Sequence, residues 1–264
     1  MARYRLTIEY DGTGYSGWQT QKNARSVQGT LIQAVQQLFG QEVDLQGAGR
    51  TDAGVHALAQ IAHLETAKDL PPKKIMEGLN DRLPSNINIL RAEKVDARFH
   101  ARHHAVSRTY LYIVSRHRTA FGKRYVWWVR DPLNVEKMQA ASLIFQGFHD
   151  FISFADKRFD KETSTRVKLD RIDITMLEGL ICFRMTGSHF LWKMVRRMVG
   201  ILVEVGRGTL TVRDVEGMLT AFSETPAKYT APPSGLFLMQ VQYEGDREDP
   251  VRLPFLLTPF KKTT

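Results

Sequence analysis

Residues 1–10 read MARYRLTIEY, a strict alternation. Tyr4, Leu6, Ile8 and Tyr10 fall on one side of an extended chain, and Arg3, Arg5, Thr7 and Glu9 on the other. That is the period of a half-buried strand, with one packed face and one wet face. Downstream the spacing becomes helical. Ser26 can cap a helix in which Val27, Leu31, Ala34, Val35 and Leu38 share a face, with Gly40 near its end. Extended segments follow around Asp44–Ala48 and Ala57–Leu64, then a short helix after Pro71 and Pro72 and a strand near Ile87–Val95. The order is β-α-β-β-α-β.

The second half repeats that order with little likeness in sequence. A strand spans Val106–Ser115, a helix capped by Asn134 runs toward Gln146, and a hairpin pairs Leu169–Met176 with Leu180–Thr186, turning at Glu178 and Gly179. Helices at Phe190–Val205 and Thr211–Phe222 and a last strand at Leu236–Tyr243 complete it. Two split β-α-β halves on an antiparallel or mixed sheet make an α+β fold. The halves divide the chain at 1–105 and 106–245, and residues 246–264, with Pro250, Pro254 and Pro259, read as an appended tail. The stretch RHRTAFGKRYVWWVRDP (Arg116–Pro132) reads as an ordered, basic, aromatic connection.

A chain of 264 residues can bury its core as one large domain or as two fused halves. Its net charge of +9 and pI of about 9.7 suit a polyanionic partner such as nucleic acid. The lone Cys182 leaves no internal disulfide and no Cys-rich zinc site. No run of about 18 apolar residues occurs, and the N-terminus alternates where a signal core would be apolar. The expectation is a soluble cytoplasmic protein without a membrane segment.

The chemistry concentrates in GRTDAGVHA (Gly49–Ala57). In an extended segment residues two apart share a face, so Arg50 can meet Asp52. A guanidinium that close favours the ionised carboxylate and makes it a nucleophile or base. Gly47, Gly49 and Gly54 allow a close substrate approach that side chains would block. The bland alternative is an exposed Arg/Asp pair in a tight turn.

Four other patterns bear on function. Gly12, Gly14 and Gly17 spell G-x-G-x-x-G after a strand. A dinucleotide loop of that form needs the third glycine to open a helix and an acid about 20 residues on. Here Trp18–Arg25 is polar and irregular and the later positions hold Gln36 and Gln37, so the expectation is a substrate-facing or structural loop and no cofactor. In the strand around Tyr110, Arg108, Tyr110 and Tyr112 share one face and Thr109, Leu111 and Ile113 the other. In the helix from Phe190, Leu191, Val195, Met198, Leu202 and Val205 form a buried stripe, and Lys193, Arg196 and Arg197 a basic one opposite. His56, His100, His103 and His104 could join Asp52 at a metal, yet only His100 and His104 have i, i+4 spacing; with Arg98 and Arg102 they read as a phosphate-contacting run, and no metal is expected.

GRTDAGVHA resembles the signature of the tRNA pseudouridine synthases of the TruA family. YDGTGYSGWQ (Tyr10–Gln19), SRTYLY (Ser107–Tyr112), FLWKMVRRMVG (Phe190–Gly200) and APPSGLFL (Ala231–Leu238) are similar to it as well, so the likeness covers residues 1–245. Trp192 and Lys193 depart from the residues common there. The resemblance implies two RRM- or ferredoxin-like halves in one continuous, mainly antiparallel sheet, with helices on one face and a basic central cleft. It implies that Asp52 is catalytic, that Tyr110 stacks on the target uracil, and that Arg196 faces the carboxylate beside Arg50. Tyr15, Trp18, Gln19, His56, Arg98, Arg102, Lys193 and Arg197 become candidate RNA contacts. The substrate implied is uridine at positions 38, 39 and 40 of the tRNA anticodon stem-loop, and the partner a second copy in a homodimer. A noncatalytic RNA-binding protein on the same fold, and a metal phosphodiesterase using Asp52 and the histidines, are the competing readings.

Overall fold

Strand β1 (Ala2–Tyr10) keeps the alternation of its sequence, with Ala2, Tyr4, Leu6, Ile8 and Tyr10 buried and the residues between them half-buried. The computed structural model describes residues 1–158, 164–177, 179–247 and 253; Glu178 of the expected hairpin turn, and the tail from 248 onward apart from Leu253, lie outside the described residues. Helix α1 (Val27–Phe39) starts where Ser26 accepts a hydrogen bond from the Gly29 amide and stops at Gly40, which turns left-handed at φ 68°. Strands β2 (Asp44–Gly47) and β3 (His56–Thr66), helix α2 (Pro72–Asn80) and strand β4 (Ile87–Lys94) complete the first half.

The second half runs β5 (Ser107–Ser115), β6 (Trp127–Trp128), α3 (Val135–Ser142), β7 (Gly147–Asp150), β8 (Arg166–Leu177), β9 (Leu180–Gly187), α4 (Met194–Arg207), α5 (Val212–Thr220), α6 (Thr225–Lys228) and β10 (Leu236–Gln242). Asn134 caps α3, its side chain accepting from the Lys137 amide. Strands β6 and β7 were not expected, being too short to show a period. Helix α4 begins at Met194 and not at Phe190, because Lys193 adopts φ 64° and breaks the helical run before it.

The sheet order is β4-β1-β3-β10-β5-β9-β8-β7, with β2 on β3 and β6 on β5. Each half therefore orders its four main strands fourth, first, third, second: β4-β1-β3-β2 and β10-β5-β9-β8. The halves meet at β3 and β10, a parallel pair of two residues, Phe237 against His56 and Leu238 against Ala57. β5 and β6 are also parallel, and the other pairs are antiparallel.

Two large cores lie on one face of this sheet. One gathers Leu6, Ile8, Leu31, Val35, Ile75 and Leu79 under α1 and α2; the other gathers Tyr112, Phe145, Phe183, Met198 and Leu202 under α3, α4 and α5. Leu236 belongs to the second and Leu238 to the first, although they point the same way on one strand. The helical layer is thus split above β10. On the reverse face Leu111, Ile113, Phe237 and Met239 are covered by Val126 and Tyr125 of the basic connection, which explains its order. Tyr112 is fully buried, so the face it shares with Tyr110 opens only at one end.

Candidate active site

The loop bearing Asp52 sits at the seam for a topological reason. β2 pairs with β3 from Ala62 to Glu65, and β10 pairs with the same edge of β3 at His56 and Ala57. The chain between Gly47 and His56 therefore has to bulge out between the end of β2 and the start of β10. It is fixed there by the Ala48 amide to the Ile61 carbonyl (2.7 Å), Gln60 Nε2 to the Gly49 carbonyl (2.8 Å), and Thr51 Oγ1 to the Tyr10 hydroxyl (2.8 Å).

Residues 12–18 form the back wall of this loop. The Trp18 amide donates to the Thr51 carbonyl (3.0 Å) and the Gly54 amide to the Tyr15 carbonyl (3.3 Å). A Cβ on Gly12 would lie 2.0 Å from the Val55 carbonyl oxygen, and one on Gly17, at φ 98°, would lie 2.5 Å from that of Thr51. The G-x-G-x-x-G spacing is thus explained by backbone pressed on backbone. Of the other glycines, Gly54 has φ 75°, Gly47 lies against the Trp18 ring, and Gly49 borders open space.

Asp52 is paired across the cleft. Arg196 Nη1 donates to Asp52 Oδ2 at 3.1 Å, and Arg196 Nε donates to the Ala231 carbonyl at 2.7 Å. The side chains retain 23% and 12% exposure for the aspartate and arginine, enough for a ligand to reach the carboxylate. Segment 229–231 can lie this close to α4 because Gly200 has no side chain; a Cβ there would fall 1.6 Å from the Tyr229 carbonyl oxygen. Arg50 is exposed on the cleft rim and makes no ion pair with Asp52. The expected contact is not formed: the chain bends at Ala48 and Gly49 and turns again after Asp52, so residues 50–52 belong to no strand and the rule that residues two apart share a face does not hold there.

The cleft measures about 1230 Å³ and is lined among the described residues by six cations, Arg50, Arg102, Arg108, Arg158, Lys193 and Arg196, against one carboxylate, Asp52. Tyr110 stands half-buried in it, its ring edge-on to Phe190 at 5.0 Å between centroids. Burial pushes its phenol up to about 12; nearby Arg108 acts against this and the charge of Asp52 adds to it. The hydroxyl is therefore a donor at neutral pH.

Gln19, Arg102 and Lys193, named as candidate RNA contacts, line this cleft. Four other candidate RNA contacts are interior. Tyr15 and Trp18 are 3% and 1% exposed and pack behind the Asp52 loop, Trp18 also bordering the cleft. His56 accepts from the Gly12 amide at Nδ1 (3.0 Å) and meets the Arg124 carbonyl at Nε2 (3.0 Å); burial lowers the basicity of its ring. Arg197 is 6% exposed and donates to the Ala155 carbonyl, so of the expected basic stripe only Lys193, in the turn before α4, and Arg196, on α4, reach the cleft. Arg98 pairs with Asp96 in a shallow depression outside the cleft.

His100 and His103 line the cleft, but the His100 Nδ1 accepts from the amides of Arg102 and His103, and the His104 Nδ1 from that of His100. These rings shape a turn. No three His, Cys, Asp or Glu among the described residues converge as metal ligands, and no described helix is long and apolar enough to cross a membrane. Sequence reasoning missed Arg158 and the Arg158–Trp192 stack, whose guanidinium carbon lies 4.3 Å from the ring centroid. Arg108, which shares the Tyr110 face in the sequence, lines the cleft as well.

The fold and this cleft define an α+β protein with a large cationic cleft around a carboxylate, a charge arrangement that suits a polyanionic partner such as nucleic acid. A family model described as tRNA pseudouridine synthase matches residues 6–104 and 141–244. The chain belongs to the tRNA pseudouridine synthase family. Curated relatives named tRNA pseudouridine synthase A include one from Nitrobacter winogradskyi, 42% identical over 93% of this chain and 97% of its own, and one from Agrobacterium fabrum, 41% identical over 92% and 93%. A third, from Ruminiclostridium cellulolyticum, is 38% identical over 92% of this chain and 100% of its own. Among solved structures, an archaeal box H/ACA sRNP Nop10–Cbf5 complex overlaps 86% of this chain and 59% of that chain at TM-score 0.38 and 10% identity, too loosely to support any argument.

Proposed function

We propose that this protein converts uridine to pseudouridine in tRNA, at positions 38, 39 and 40 of the anticodon stem-loop, with Asp52 as the reacting carboxylate. The observation that carries the reading is the Asp52 carboxylate at the cleft base, bonded by Arg196 at 3.1 Å and facing Tyr110. The isomerisation breaks the N1–C1′ bond, turns the uracil and forms C5–C1′; C5 loses a proton and N1 gains one, so nothing is consumed. An ionised carboxylate can attack C1′, attack C6, or take the C2′ proton. Arg196 fixes the direction of Oδ2. A phenol held protonated serves as a stacking surface and hydrogen-bond donor, which leaves removal of the C5 proton to Asp52 or water.

A uridine in a stem reaches the carboxylate only after leaving its stack, at a cost of a few kcal/mol. Exposed cations of the lining such as Arg50 and Arg102 offset that cost through phosphate contacts. With tRNA as substrate the site of action is the cytoplasm, and a second copy of the chain in a homodimer extends the RNA-binding surface. The test is incubation of an unmodified tRNA transcript with the purified protein and no additive, followed by chemical mapping of pseudouridine. Modification confined to 38–40 is the expected result; RNA bound but unmodified would support a binding protein, and strand cleavage a phosphodiesterase.

A further inference from the structure

On the C-terminal wall one carboxylate is tied to three cations at once. Asp156 Oδ1 accepts from the backbone amide and Nε of Arg158 (3.1 and 3.0 Å), and Oδ2 accepts from the Lys193 ammonium (2.7 Å), with Arg197 Nη2 at 3.9 Å. Asp156 is 6% exposed, and its own amide donates to the Trp192 carbonyl at 3.0 Å. Both its backbone and its side chain therefore hold the turn that starts α4. Lys193 lies in that turn at φ 64° and ψ 2°, the one described non-glycine residue with positive φ. A side chain in the left-handed region persists only when its surroundings hold it there.

The turn fixes where α4 begins, and hence where Arg196, three residues on, points. Arg197 ties the same helix turn to the Ala155 carbonyl, next to Asp156. We propose that Asp156 is a positioning residue for the reaction, clamping Lys193 in the left-handed turn so that Arg196 stays aimed at Asp52. This rests on the roles given above to Asp52 and Arg196. The strain thus sits beside the chemistry, at a site where glycine or asparagine would adopt the turn unaided.

The test is steady-state kinetics on the tRNA transcript for Asp156→Asn, Asp156→Glu, Asp156→Asn combined with Lys193→Gly, Arg196→Ala, and Asp156→Asn combined with Arg196→Ala, with Asp52→Asn alongside. Asp156→Asn is expected to lower kcat about 30-fold with KM within about twofold, as displacement of a catalytic partner does. Asp156→Glu restores part of this, and carries the test if the amide variant fails to fold. Adding Lys193→Gly recovers most of the loss, since glycine needs no clamp. In the Arg196→Ala background Asp156→Asn costs less than about twofold, because the group it aims is gone. An equal loss with and without Arg196, absence of rescue by glycine, or a change in KM alone overturns the proposal. If Asp52→Asn stays active, the site assignment itself falls; if only Asp156→Asn stays active, the assignment stands and the positioning role falls.

Discussion

The two halves of the molecule share one strand order and differ in what they do with it. In the first half the link between the second and third strands is the loop 48–55 that carries Asp52; in the second Leu177 of β8 pairs directly with Leu180 of β9. The helix after the third strand differs in the opposite sense. α2 buries only Ile75 and Leu79 and stays away from the cleft, whereas α4 is buried along nearly its whole length and delivers Arg196. Each half thus contributes one member of the Asp52–Arg196 pair, from non-equivalent positions. The difference is set by the seam: only the first half's loop shares its strand edge with a strand of the other half.

If α2 is scaffold and α4 is machinery, truncation should separate stability from rate. Leu79→Ala in α2 is expected to cost about 2–5 kcal/mol in unfolding free energy and leave kcat unchanged, read by denaturant titration and kinetics. A fall in kcat at full folding would break the contrast. Arg196→Lys in α4 keeps the charge but cannot bond Ala231 and Asp52 together; kcat should drop about 100-fold, roughly 2.7 kcal/mol, with thermal stability nearly unchanged.

His63 of β3 offers a pH probe of the first half. Burial, aided by the charge of His100, pushes its imidazole down to about 4. Because the folded value lies below that of the unfolded chain, its contribution is present above about pH 6.5 and is lost as pH falls toward 4, worth roughly 2–3 kcal/mol. Urea unfolding at pH 7 and pH 4.5 should show this loss, and His63→Asn, which keeps an acceptor for the Ala101 amide, should flatten it. The smallest effect belongs to the tight turn of the second half. Gly179→Ala, at φ 84°, should cost about 1 kcal/mol of stability and nothing in kcat.

Much of the fold was legible because period-2 and period-3.6 patterns survive in both halves, from Tyr4–Tyr10 to the stripe on α4. The seam was not, since no local pattern reveals that β2 and β10 share an edge of β3. Asp52 was singled out by the resemblance of the whole string GRTDAGVHA, and Arg196 by the same resemblance from a helix face that also carries Lys193 and Arg197. Arg50 was placed beside Asp52 by a rule for extended chain, and residues 50–52 belong to no strand. Arg197, His56, Tyr15 and Trp18, named as candidate RNA contacts, are held by partners distant in sequence, such as Ala155, Arg124, Asn86 and Thr51, which no local pattern reveals. Asp156 left no signal, as its three cations converge only in the folded chain.

The most direct measurement compares Asp52→Asn with the unaltered protein in two assays on the same unmodified tRNA transcript, binding affinity and the rate of pseudouridine formation. Loss of at least about 1000-fold in rate with affinity kept within a few-fold is expected of a carboxylate that reacts without anchoring the RNA. Pseudouridine formed by the amide variant at a near-normal rate would contradict it.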